Sequence, residues 1–247
     1  VPALRRRLAA EAYLAPHGEA GDAASTVYDD GLAAAVRAFQ ERHQLAADAV
    51  VGRATLAALN VPVAARIAQI RVNLERARWV LHAVEDGDFV VVDVAGFGVR
   101  YLQGRRLVWQ ARAIVGRPYR RTPVFRSRID TIVFNPTWTV PPTILAEDVL
   151  PGMRRGRDVL RTKGLRVIDR QGREVDPATI DWSRWTARTF PYRLRQDPGD
   201  DNALGRVKIL FPNPYFVYLH DTPSRALFER DERTFSSGCI RVDRPLE

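Results

Sequence analysis

The sequence predicts an α+β protein in which helices precede a mainly antiparallel β domain. Apolar residues recur at three- and four-residue spacing as far as residue 84, which is the helical period. From Phe89 onward the pattern changes to β-branched, alternating runs broken by closely spaced turn residues. That spacing favours an antiparallel sheet over βαβ units. With 247 residues, 46% of them apolar, the chain can bury a sizeable core.

Residues 1–60 are expected to form a small three-helix module with a polar loop from Pro16 to Thr26. The apolar positions that mark the helices are Leu4, Leu8 and Tyr13, then Leu32, Val36 and Phe39, then Thr55, Leu56 and Leu59. The third helix is expected to end at Asn60, shortly before Pro62. Residues 61–87 then form a linking helix, amphipathic from Val63 to Val84 and ended by Asp86-Gly87-Asp88.

Strands are predicted through the remaining domain, 88–247. They are Phe89 to Val94, the alternating residues Phe97, Val99 and Tyr101, Leu107 to Val115, Ile129 to Phe134, and Val207 to Leu219. Gln103-Gly104 has the composition of a hairpin turn.

The segment 143–206 differs from its surroundings and is predicted to be an insertion. It is rich in arginine and carries the aromatics Trp182, Trp185, Phe190 and Tyr192. A connection this long inside a compact domain is usually functional or folded in its own right. The segment is therefore either a decorative subdomain or a cap over the functional site.

Charge and composition exclude several classes of protein. The formal net charge is +9, carried almost wholly by arginine, but the basic residues are scattered through every segment, which argues against a nucleic-acid binder. No apolar run is long enough to span a bilayer. Cys239, the single cysteine, cannot form an internal disulfide or a two-cysteine metal motif, and no metal site is expected. Because no secretory leader begins the chain, the protein is either cytosolic or has lost its leader.

Cys239 and His220 are the candidate nucleophile and base. Cysteine attack on an amide needs a base and backbone N–H groups for the oxyanion, and Ser236-Ser237-Gly238-Cys239 has small residues that let a carbonyl approach the backbone. His220 ends an apolar strand and could face a cysteine on the next strand. By composition alone, a buried structural cysteine and a structural histidine are the commoner alternatives. His17, His43 and His82 have no metal spacing and are read as surface or core residues.

Two resemblances to known families favour the catalytic interpretation of Cys239 and His220. Asp29-Asp30-Gly31-Leu32, "AVRAFQ" at Ala35 to Gln40 and "VGRATLAALN" at Val51 to Asn60 resemble the bacterial peptidoglycan-binding three-helix module. His220-Asp221-Thr222-Pro223 followed by Ser236 to Val242 resembles the catalytic motif of L,D-transpeptidases, the cysteine enzymes that cross-link peptidoglycan. Further motifs carry the second resemblance: Thr122-Pro123, Asn135 to Pro141, Asn202 to Lys208, and Phe211-Pro212-Asn213. The insertion and the preceding module are similar to the large periplasmic branch of that family.

The resemblance implies roles for individual residues. Cys239 matches the nucleophile and His220 the base, while Gly238 and Tyr218 match residues bordering the oxyanion hole. Arg241 matches a motif arginine that either orients a substrate carboxylate or is structural. Ser237 stands where a histidine is commoner in the family, so the third group of the triad is expected to be a backbone carbonyl, that of Asp221. Ser237 and Trp138 are also assigned by the resemblance to the residues that form the oxyanion hole or bind the substrate.

The resemblance also implies a reaction without metal or other cofactor. Cys239 would release D-Ala from a stem tetrapeptide and pass the acyl group to a neighbouring stem, giving a 3-3 cross-link. The implied partners are stem peptides, glycan strands and carbapenem-type inhibitors, and the implied location is the periplasm. Three alternatives stay open: an L,D-carboxypeptidase of the same fold, a wall-binding protein with an inert thiol, and a nucleic-acid binder.

Overall fold

The chain divides into two units, Val1–Gly87 and Asp88–Glu247. A computed structural model describes residues 1–14, 24–81, 87–104 and 106–247. The sequence predictions for most of the polar loop from Pro16, for His17, for His82 and for Asp86 lie outside the described residues.

The first unit has the predicted helical module. Its helices are α1 (Pro2–Ala10), α2 (Asp30–Arg42), α3 (Arg53–Leu59) and α4 (Val63–Leu81). The buried core consists of Leu8, Leu32, Ala35, Val36, Phe39 and Leu59. Asp29 caps α2, because its carboxylate accepts the Leu32 N–H at 2.8 Å. The helical period in the sequence therefore identifies the four helices that the structure describes in this unit.

Two features of this unit go beyond the periodicity. The Gln40 side chain is buried and holds the α2–α3 connection, donating to Val50 O at 3.0 Å and accepting the Ala49 N–H at 2.9 Å. The apolar stripe of α4 is exposed at Ile70 and Leu74, so this helix does not build the core of the module. None of the helices in the described ranges is long and apolar enough to cross a bilayer.

The second unit is built on a mainly antiparallel sheet, as predicted. Within the described residues its strands are β1 (Asp88–Asp93), β2 (Gly98–Gln103), β3 (Arg106–Gly116), β4 (Thr131–Phe134), β8 (Val207–Leu210), β9 (Leu219–His220), β10 (Thr234–Ser236) and β11 (Ile240–Val242). The spatial order is β1-β2-β3-β11-β9-β8-β4, with β10 beside β3. The pairs β11–β9 and β10–β3 are parallel. The centre of this sheet thus brings chain segments from 106–116 and 207–242 together.

The prediction of a single strand from Val207 to Leu219 is wrong. The structure divides it into β8 and β9, because Pro212 and Pro214 cannot donate to a sheet ladder. Asn213 organises the connection, donating from Nδ2 to Phe211 O at 2.8 Å and to Val217 O at 2.9 Å. The loop returns the chain so that β9 pairs with β8.

The predicted insertion is folded and has its own core. It contains α5 (Pro142–Ile144), a π-helical turn (Leu145–Val149), α6 (Leu150–Arg154), α7 (Val159–Thr162), β6 (Arg166–Ile168) and β7 (Arg193–Gln196). A second sheet of order β5-β7-β6 includes β5 (Trp138–Thr139), which precedes the predicted start of the insertion. Its buried core extends from Trp138 to Leu204, and the four predicted aromatics are half-buried against that core. Tyr218 packs there too, so this core adjoins the candidate site.

Candidate active site

Cys239 lies on a tight turn between β10 and β11. The Ser236 hydroxyl stabilises this turn by accepting the Gly238 N–H at 3.1 Å and donating to Cys239 O at 2.6 Å. Gly238 has φ +114°, a conformation that residues with a side chain rarely adopt. Small residues are therefore needed here for backbone geometry, and they deliver the thiol to the start of β11.

Three strands align the charged and titratable side chains. In the register of the central sheet, His220 on β9 pairs with Arg241 on β11 and with Lys208 on β8. Directly paired residues project from the same face of a sheet, so these three side chains form a row. Ile240 N donates to Tyr218 O at 3.0 Å, which places Tyr218 beside Cys239 one register step earlier. Tyr218, two residues before His220, shares its face.

His220 is held in one tautomer by the backbone. Its side chain is 5% exposed, and Nδ1 hydrogen-bonds with the carbonyl oxygen of Asp221. A carbonyl only accepts, so Nδ1 carries the proton and Nε2 is left as the basic nitrogen. Burial, followed by the positive charge of Arg241 and, more weakly, of Lys208, lowers the pKa of His220 to about 3. The imidazole is therefore neutral at physiological pH, with Nε2 unprotonated.

Asp221 is fixed in turn by its neighbours. Its carboxylate accepts the Arg206 N–H at 2.8 Å and pairs with Arg225 at 2.5 Å, and its own N–H donates to Val207 O at 2.9 Å. Gly205, with φ +58°, lies directly against it, since a Cβ there would be 2.3 Å from Asp221 Oδ2. The carbonyl that orients His220 thus belongs to a closely packed residue.

The thiol is surrounded by groups that act on it in opposite directions. Burial raises the pKa of Cys239, whereas hydrogen bonds from the Tyr218 N–H and hydroxyl, and the charges of Lys208 and Arg241, lower it. Burial is the largest of these effects. The resting site therefore pairs a protonated thiol with a neutral imidazole, and a base is needed to generate the thiolate.

Tyr218 is clamped from two sides. Tyr218 packs against the buried cluster that contains Trp138, and Lys208 Nζ lies 4.1 Å from its ring centroid, within cation–π distance. Burial raises the pKa of Tyr218, so the phenol stays protonated and can donate. Burial also disfavours the charged form of Lys208, which is half-buried, and therefore lowers its pKa.

The structure brings the seven predicted residues to one region, with two differences in detail. The Gly238 amide, expected to border the oxyanion hole, already donates to Ser236 Oγ. Ser237 accepts a hydrogen bond from Arg120 at 2.8 Å, a contact between residues far apart in the sequence. Arg241 is half-buried, and its Nε has no hydrogen-bond partner within the described chain.

Sequence reasoning gave no role to Lys208, Thr122 or Arg120, all of which lie at this site. Lys208 is one of only two lysines in an arginine-rich chain, and this rarity could have marked it as a candidate site residue. Thr122 donates to Gly238 O at 2.9 Å, and nothing in its local sequence predicts a contact with a turn so distant in the chain. Among the residues that the structure describes, no group of three His, Cys, Asp or Glu side chains could hold a metal ion.

Comparisons with known proteins give matches for both parts of the chain. Residues 87–247 match the L,D-transpeptidase catalytic domain family, and residues 1–59 match a family described as "Putative peptidoglycan binding domain". A curated relative from Haemophilus influenzae, described as "Putative L,D-transpeptidase", is 39% identical over 176 residues, which make up 71% of this chain and 35% of the relative. The match thus spans about a third of that relative's length. The chain belongs to the L,D-transpeptidase family.

Proposed function

We propose that this chain is a cysteine L,D-transpeptidase that forms 3-3 cross-links between peptidoglycan stem peptides. The observation that carries the proposal is the juxtaposition of Cys239, Tyr218 and a neutral, backbone-oriented His220 on one face of adjoining strands. A nucleophile, a base beside it and a third group that orients the base are the minimum for acyl transfer through a thioester.

The first half-reaction consumes a stem tetrapeptide. Cys239 Sγ attacks the carbonyl between the third residue and the terminal D-Ala, while His220 Nε2 takes the thiol proton. The tetrahedral intermediate then collapses, the C–N bond breaks, and His220 returns the proton to the departing amine of D-Ala. The acyl group is left on sulfur as a thioester, and no net charge or electron is gained.

The oxyanion is assigned to the Cys239 N–H and the Tyr218 hydroxyl. The Gly238 N–H is not assigned to the oxyanion, because it donates to Ser236 Oγ within the turn. In the resting state the Tyr218 side chain lies close enough to the sulfur to lower the pKa of the thiol. When negative charge moves from sulfur to the carbonyl oxygen, the Tyr218 hydroxyl can follow it, helped by Trp138 and Lys208, which hold the phenol in place.

Arg241 is assigned to the carboxylate of the donor peptide. A half-buried guanidinium whose Nε has no partner in the described chain has an unmet demand for an acceptor. Its lowered pKa, caused by burial, indicates an environment in which an incoming anion gains more than it would in water. Of the two roles left open by the sequence, the proposal adopts substrate orientation.

The second half-reaction needs an amine in place of water. An amine from a neighbouring stem attacks the thioester, and His220 again takes and returns a proton, releasing the cysteine. We assign the inserted segment to shielding the thioester from water, because its core continues into Trp138 and Tyr218 at the site. The three-helix module is assigned to glycan strands and the whole chain to the periplasm, where that polymer lies.

The test is the reaction of the purified chain with tetrapeptide muropeptides, followed by liquid chromatography and mass spectrometry. The proposal predicts free D-Ala, a thioester on Cys239 and 3-3 linked dimers, all absent in Cys239→Ala. Tripeptide without dimer would identify a carboxypeptidase instead. No adduct with muropeptides or with a carbapenem would leave a wall-binding protein with an inert thiol.

A further inference from the structure

The loop that follows β3 packs against the turn that carries Cys239. Arg117 N donates to Ser236 O at 3.1 Å, and Thr122 Oγ1 donates to Gly238 O at 2.9 Å. The loop itself is tight, since a Cβ on Gly116 would lie 2.1 Å from Arg120 O. We call residues 116–122 the brace loop. Contacts from this loop help to fix the turn, whose glycine has little conformational preference of its own.

Arg120 extends the brace loop to the inserted segment. Its guanidinium donates to Ser237 Oγ at 2.8 Å, to Asp148 Oδ2 at 3.0 Å and, from Nε, to Glu147 Oε2 at 2.9 Å. The Arg120 side chain is only 8% exposed, whereas both carboxylates are partly in solvent. Ser237 is two residues before the thiol, and both acids lie on the π-helical turn Leu145–Val149. One side chain therefore touches the nucleophile turn and the inserted segment at once.

We propose that Arg120 is a positioning residue that couples the inserted segment to the nucleophile turn through Glu147, Asp148 and Ser237. The planar guanidinium can serve both carboxylates and the hydroxyl in one orientation, which an ammonium group cannot reproduce. When the π-helical turn is in place, Arg120 holds Ser237 and, through it, the turn that carries Cys239; when the π-helical turn moves, that restraint is lost. The inference rests on the proposed function, in which Cys239 is the nucleophile.

The coupling can be measured separately from stability. Rate constants for carbapenem acylation are obtained by intact mass for the full chain, for Arg120→Ala, for Ser237→Ala and for the pair Glu147→Gln with Asp148→Asn. Arg166→Ala is the matched control, because Arg166 also bridges two acids of the inserted segment, Glu174 and Asp197, without a contact to the turn.

We expect Arg120→Ala to lower the maximal acylation rate constant about tenfold, with a smaller change in half-saturating concentration, while Arg166→Ala stays within about twofold. Ser237→Ala and the double acid variant should be non-additive in the parent and additive in Arg120→Ala, since Arg120 is the shared partner. Arg120→Lys should recover part of the rate. Additive effects in the parent, or a parent-like rate in Arg120→Ala, would overturn the inference.

A second measurement, alkylation of the thiol, tests the coupling without any substrate. Alkylation of Cys239, the single thiol, by iodoacetamide is followed against pH in the same variants. Arg120→Ala should slow alkylation or shift its pH midpoint, whereas Arg166→Ala should change neither. If the parent forms no carbapenem adduct but alkylation responds to Arg120, the proposed function fails and the coupling stands. If the parent is acylated and neither readout responds to Arg120, the coupling fails and the function stands.

Discussion

Gly205→Ala tests whether close packing around Asp221 controls His220. The added Cβ would lie 2.3 Å from Asp221 Oδ2, 2.5 Å from Cγ and 2.7 Å from Cβ, closer than carbon atoms approach in proteins. Asp221 is held by Arg206 and Arg225 and cannot withdraw freely. The carboxyl group must therefore shift together with the backbone carbonyl that orients the imidazole.

The expected cost has two parts. A non-glycine residue at φ +58° costs about 1–2 kcal/mol, and overpacking a buried site adds about 1–3 kcal/mol. The free energy of unfolding should thus fall by roughly 2–5 kcal/mol, which a domain of ordinary stability survives. Because general-base catalysis contributes about 10²–10⁴-fold, a displaced His220 should lower the acylation rate at least about tenfold.

Gly172→Ala is the matched control. Gly172 also has a positive φ, +83°, but no atom lies within 4 Å of its added Cβ. This variant should lose about 1–2 kcal/mol through backbone strain alone and keep its acylation rate. Urea denaturation and carbapenem acylation are measured for both variants. Equal stability losses together with a parent-like rate in Gly205→Ala would refute the reasoning.

Three further predictions concern the base and the module. His220→Ala should fold but lose roughly 10²-fold or more in acylation, and a parent-like rate and pH profile would make His220 structural. Because the pKa of His220 is lowered to about 3 in the fold, the unfolded chain binds up to one more proton between about pH 6.5 and pH 3. The free energy of unfolding should therefore fall by about 1.2 kcal/mol from pH 6 to pH 5, and His220→Asn should remove that dependence in urea titrations. Removal of residues 1–60 should spare carbapenem acylation, since every predicted catalytic residue lies beyond Asp88; a folded truncation that is not acylated would contradict this.

The elements that follow from local patterns were predicted well. Helices α1 to α4 and strands β1 to β3 follow from apolar spacing, and their bounds fall within a few residues of those expected. The division of Val207 to Leu219 was missed although Pro212 and Pro214 signalled it. The start of the insertion was placed after Trp138, because a two-residue strand such as β5 leaves no periodic signal.

The site was predicted only where a motif carried it. Cys239, His220 and Tyr218 come from a contiguous C-terminal stretch, so the resemblance could name them. The hydrogen bond from Arg120 to Ser237 joins residues 117 positions apart. The close approach of the Asp221 carboxylate to Gly205 likewise depends on how distant segments pack. Neither contact can be predicted from a local sequence pattern, because strand register and side-chain packing are set only when the sheet assembles.

The most direct test of the central claim is intact mass of the purified chain during turnover of a tetrapeptide muropeptide. The account predicts a transient adduct on Cys239 equal to the substrate minus D-Ala, with one D-Ala released for each acylation and 3-3 dimer appearing as the adduct decays. His220→Ala should accumulate little of this adduct, and Cys239→Ala none. Dimer formed without any adduct, or an adduct that persists in Cys239→Ala, would contradict the account.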